Sequence, residues 1–119
     1  MHIDIQARQF RLTRALREHV ERRLRFALDA CRPEVLRVRV RLSDENGPRG
    51  GADKRCRIQL TLARAPALLI EDAEADLYVA IDRAADRAGR TLARQLARGR
   101  EHRAAGRPLA AGEPSPGTV

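Results

Sequence analysis

Two stretches of strict alternation, VLRVRVRL over 35–42 and KRCRIQLTL over 54–62, constrain this chain most. A period of two puts successive side chains on opposite faces of a strand. Leu36, Val38, Val40 and Leu42 therefore share one face with Arg37, Arg39 and Arg41 on the other, and Cys56, Ile58, Leu60 and Leu62 oppose Arg55, Arg57, Gln59 and Thr61. Each strand is apolar on one side only, so one sheet face is core and the other is wet. The intervening SDENGPRGGAD, residues 43–53, is a glycine-rich loop too long for a tight hairpin.

The remaining elements follow from their own periods. HIDIQA alternates Ile3 and Ile5 with polar neighbours and predicts a short N-terminal strand. Thr13 predicts an N-cap, after which Leu16, Val20, Leu24, Ala27 and Leu28 recur at helical spacing to about Ala30, with Pro33 ending the helix. ALLIED predicts a fourth strand paired with the third, and Asp76 is the expected cap of a second helix running to about residue 100. The fold class is α+β: a two-layer sandwich in the order β-α-β-β-β-α, a four-stranded, antiparallel-rich sheet with two helices on one face. The domain is expected over 1–103, and the Ala/Gly/Pro-rich residues 104–119 form a flexible tail.

At 119 residues, 43% apolar and 34% charged, the chain can bury one core, and its formal charge of +8 calls for a polyanionic partner. Of its 24 basic residues only Lys54 is lysine. Arginine suits bidentate phosphate contacts, although the codon usage of a GC-rich genome yields the same bias. The longest apolar run, APALLI, is far short of a membrane span and the N-terminus carries no apolar signal core, so a cytoplasmic protein without membrane contact is expected. Cys31 and Cys56, 25 residues apart, read as reduced, packed thiols.

The second helix carries the sharpest charge pattern. Arg83, Arg87, Arg90, Arg94 and Arg98 fall within an arc of roughly 80° at 100° per residue. The apolar stripe from Leu77 to Leu96 centres roughly 135° away. Like charges at i,i+4 repel by about a few tenths of a kcal/mol each, a cost that a phosphate backbone would remove. Arg37, Arg39, Arg41, Arg55 and Arg57 on the wet sheet face extend the basic surface. With only Phe10, Phe26 and Tyr78 aromatic, recognition should rest on phosphate, ribose and shape rather than stacking. Catalysis has little support: His2, His19 and His102 are scattered, and no P-loop or dinucleotide fingerprint is present. Asp82 and Asp86 share a helix face, where ion pairing with neighbouring Arg83, Arg87 and Arg90 is favoured over metal binding.

LTRALREHVERRL, followed much later by ADLYVAIDRAADRAGRTLARQLAR, resembles the ribosome hibernation promoting factor and protein Y family, also called ribosome-associated inhibitors or sigma-54 modulation proteins. The most specific pieces are Asp76-Leu77-Tyr78 with Ala80-Ile81-Asp82, and Thr13 with Ala15-Leu16-Arg17. The resemblance implies a fold similar to double-stranded RNA-binding domains. It also implies a stress factor that binds ribosomal RNA in the small-subunit channel for messenger and transfer RNA, inhibits translation and holds idle ribosomes inactive. No cofactor and no small-molecule substrate are expected. The family's basic positions fall on Arg87, Arg90, Arg94 and Arg98 of the second helix and on Arg17 and Arg23 of the first. Arg83 rests on the ridge pattern alone, and Lys54 and Arg55 are candidates by position at the loop's end. Long family members carry a C-terminal domain that pairs ribosomes, for which 119 residues leave no room, so pairing would need another hibernation factor. Two alternatives stay open: a general RNA-binding module without ribosome inhibition, and a protein-binding regulator of the sigma-54 modulation type.

Overall fold

The computed structural model describes residues 1–45 and 53–106, the last six by their backbone. Strand β1 (His2–Arg8) is followed by helix α1 (Arg14–Leu28), a 3-10 segment (Asp29–Glu34), strands β2 (Val35–Asp44), β3 (Lys54–Leu62) and β4 (Leu68–Glu74), and helix α2 (Leu77–Gly106). The order β-α-β-β-β-α is the expected one. The sheet is mixed, with strand order β1-β2-β3-β4: β1 is parallel to β2, and β3 is antiparallel to both β2 and β4.

Local chemistry explains the boundaries. Thr13 caps α1, its Oγ1 accepting from the Leu16 N–H at 3.2 Å. Asp76 caps α2, its Oδ1 accepting from the Tyr78 N–H at 2.8 Å. Both caps supply acceptors to helix N–H groups that have no partner in their own first turn. Pro33 does not end α1: the helix stops at Leu28, and Pro33 lies inside the following 3-10 segment. α2 continues to Gly106, past the end expected near residue 100 and past the boundary expected at 103. The strands also encroach on the expected loop, with β2 reaching Asp44 and Asp53 buried. Residues 46–52 and 107–119, holding the rest of that loop and most of the tail, lie outside the described residues.

One strand face differs from the alternation. Val35 pairs with Leu62 and Arg37 with Thr61, so Leu36 is the extra residue of a β-bulge. The bulge turns Val35 inward and leaves Leu36 55% exposed, outside the core to which the period of two assigned it. Beyond the bulge Val38, Val40 and Leu42 are fully buried, as are Cys56, Ile58 and Leu60 from β3. α1 adds Leu16, Val20, Leu24 and Leu28, and α2 adds Ala80, Ile81, Ala84, Ala85, Ala88 and Leu92, making one core between the sheet and both helices. Each large aliphatic side chain so buried contributes about 1.5–3 kcal/mol.

The small residues of α2 let it lie close to α1. A Cβ at Gly89 would sit 2.6 Å from the Ala27 carbonyl oxygen, a separation no side chain tolerates. Both helices thus occupy the inner side of the sheet, and the outer side is open.

Candidate nucleic-acid interface

Helix α2 divides its five ridge arginines into two groups, all exposed. Arg83 and Arg87 overhang the acidic end of β4. Arg87 donates through Nη1 to the Glu71 carbonyl oxygen at 2.7 Å and through Nη2 to Asp72 Oδ1 at 3.1 Å, and Arg83 Nε lies 3.7 Å from Glu74 Oε2. A hydrogen bond with Asp72, then burial, pushes the Glu74 carboxyl above its ordinary range. The repulsion between Arg83 and Arg87 is thus relieved within the chain. Arg90, Arg94 and Arg98 have no acidic side chain at ion-pair distance among the described residues. They continue the ridge for two further turns as fixed, unmatched positive charge.

The seam between α1 and α2 holds a network that the sequence did not reveal. His19 Nε2 lies 2.7 Å from Asp82 Oδ1, and Arg23 spans both acids, with Nη2 donating to Asp86 Oδ1 at 2.9 Å and Nε 3.2 Å from Asp82 Oδ1. The Nε contact is an ion pair without hydrogen-bond geometry. Asp82 and Asp86 therefore pair across the helix seam with α1, not with Arg83, Arg87 and Arg90 of their own helix. The signal available was the match of two i,i+4 pairs, His19/Arg23 and Asp82/Asp86. It became readable only once the helices were known to be neighbours. Tyr78 packs edge-on against the His19 ring, with centroids 4.7 Å apart.

The other candidate residues are spread. Arg17 is exposed on α1, with no acid at ion-pair distance among the described residues. Lys54 is tied to Asp44 and Asp53, each at 3.1 Å, and these hydrogen bonds, Asp44 first, raise its ammonium above the ordinary range. Arg55 Nε lies 3.4 Å from Glu45 Oε2. The structure therefore brings together Arg90, Arg94 and Arg98, engages Arg83, Arg87, Arg23, Lys54 and Arg55 with acids of the chain, and leaves Arg17 apart from them in sequence and element. Phe26, given no special weight by composition, is 77% exposed on α1, one turn beyond Arg22. Cys31 and Cys56 are free thiols, and burial, with Asp72 nearby, pushes Cys56 up to about 12. Among the described residues, no group of three or more His, Cys, Asp and Glu could hold a metal ion, and no helix is long and apolar enough to cross a membrane.

Comparison with known proteins agrees with this architecture. Residues 3–100 match the family model described as sigma 54 modulation protein / S30EA ribosomal protein. The crystal structure of the Thermus thermophilus protein Y N-terminal domain is similar at 33% identity and a TM-score of 0.67, covering 79% of this chain and 98% of that one. A ribosomal subunit interface protein from Coxiella burnetii shares the fold at 20% identity and a TM-score of 0.69, covering 82% of this chain and 99% of that one. No curated protein matches.

Proposed function

The chain belongs to the sigma 54 modulation protein / S30EA ribosomal protein family, and from that membership we propose that it is a ribosome-associated translation inhibitor, a hibernation factor rather than an enzyme. It binds ribosomal RNA in the messenger and transfer RNA channel of the small subunit and stabilises idle ribosomes under stress. The observation that carries this reading is the run Arg90, Arg94 and Arg98 on one exposed side of α2, with no acidic side chain at ion-pair distance among the described residues. Guanidinium groups form paired hydrogen bonds with phosphate oxygens, and a straight helix holding them one turn apart tracks a backbone without reading its bases. Inhibition then follows from occupancy: a domain seated in the channel excludes the RNAs that use it.

Co-sedimentation with purified ribosomal subunits tests the proposal, comparing wild type with Arg90, Arg94 and Arg98 all changed to Glu. Saturable one-to-one binding to the small subunit, abolished by the charge reversal, is the expected result. Equal binding to both subunits and to duplex RNA would replace it with a general RNA-binding module. Binding indifferent to the reversal and to salt would point to a protein partner instead.

A further inference from the structure

The outer face of the sheet, on the side away from both helices, carries its own arginine surface. Register places Arg41 directly opposite Arg57, and opposed like charges on a ladder destabilise the pair. Arg57 has Glu71 at 3.6 Å. Arg8, Arg37, Arg39 and Arg41 have no acidic side chain at ion-pair distance among the described residues, although Asp4 is the register neighbour of Arg39 on β1. Beyond the bulge the register runs without a break from Arg37 to Asp44, so the Arg37, Arg39 and Arg41 guanidinium groups recur at alternate positions along β2. Their repeat is about 6.6–6.8 Å, twice the rise per residue of a strand.

Shallow depressions run beside this row and join end to end. One is bounded by His2, Leu36, Arg37 and Arg39, the next by Arg39, Arg41, Arg57 and Gln59, and the last by Arg8, Arg41, Arg55 and Arg57 together with Glu45 and Glu71, the acids beside Arg55 and Arg57, so the free positive charge lies along β2. Shared arginines make them one furrow along β2 and β3. We propose that this furrow is a second nucleic-acid site, separate from the α2 ridge, that takes the phosphate backbone of single-stranded RNA. A straight row of evenly spaced cations suits an extended strand, whose sugar-phosphate chain can adopt the same repeat. Duplex phosphates follow a helical path that a straight row leaves within a few residues. No Phe, Tyr or Trp side chain borders the furrow, whose one ring is the His2 imidazole at its end, so binding rests on phosphate contacts, with Gln59 and Thr61 as hydrogen-bonding neighbours. Because the furrow and the ridge lie on opposite layers, one domain can hold two RNA segments at once.

The test uses the full chain and a short fluorescent oligouridylate, followed by anisotropy across a salt titration. In the background Arg90→Glu/Arg94→Glu/Arg98→Glu, oligouridylate binding persists. Adding Arg37→Gln, Arg39→Gln and Arg41→Gln then reduces the slope of log K against log salt by about 2, the release expected for three phosphates of a single strand. Lysine at the same three positions restores the slope, which separates loss of charge from loss of structure. Binding already absent in the ridge-reversed background, or unchanged by the glutamine substitutions, overturns the proposal. An effect confined to duplex RNA of the same length overturns its single-strand assignment. The ribosome reading stands or falls separately, on co-sedimentation of the ridge variant.

Discussion

Gly89 allows the two helices to meet, and its replacement is costly for a reason visible in one distance. Gly89→Ala brings a methyl group to 2.6 Å from the Ala27 carbonyl oxygen, so the helices must separate, and urea denaturation should show a loss of about 1–3 kcal/mol. Cys56 makes a second residue-level prediction. Its thiol is pushed up to about 12 by burial, so the fold disfavours the thiolate, and stability falls as pH rises from the ordinary thiol range towards that value. At mildly alkaline pH iodoacetamide should therefore label half-buried Cys31 well ahead of Cys56. Equal labelling rates, read by mass spectrometry, would contradict the burial. The packed thiols were legible because neither cysteine has a CxxC partner or histidine pair. The partners of Arg23 were not: a single sequence gives the spacing of charges within a helix and says nothing of which face a second helix will cover.

At the scale of elements, period and caps carried most of the information. Thr13, Asp76 and the alternations at 35–42 and 54–62 place both helix starts and the central strands, because each signal is local. The bulge has no such signal, since Leu36 and Val35 are equally apolar and only the register against Leu62 and Thr61 decides which turns inward. Leu36→Ser should accordingly change stability by under about 0.5 kcal/mol. Leu42→Ala on the same strand should cost about 2–5 kcal/mol, as expected for a fully buried side chain. Within α2 the division of the ridge predicts graded effects. Losing Arg94 should flatten the salt slope of RNA binding by about 0.7–0.9, whereas losing Arg83, which faces Glu74, should flatten it less.

For the whole molecule, the two-layer class was legible because the alternation over 37–42 and 54–62 leaves the central strands apolar on one face only, but the parallel pairing of β1 with β2 was not. Nothing in HIDIQA distinguishes a parallel edge from an antiparallel one. The formal charge of +8 sets another molecular property. Net repulsion opposes compaction, and added salt screens it over a Debye length of about 10 Å at 0.1 M. The thermal midpoint should therefore rise from low to moderate salt. A midpoint that falls instead would mean that the ion pairs of the α1–α2 seam and of β4 outweigh the repulsion.

The spatial order β1-β2-β3-β4 repeats the order of synthesis. A chain leaving the ribosome can close β1, α1 and β2 as its first unit, then lay β3 and β4 successively on a growing edge, with no strand ever forced between two already paired. Only α2, made last, covers the inner faces of β3 and β4. A nascent chain stalled before residue 77 thus presents Ile58, Leu60 and Ile70 uncovered to whatever surrounds it, and release of the final helix is the step that seals the domain.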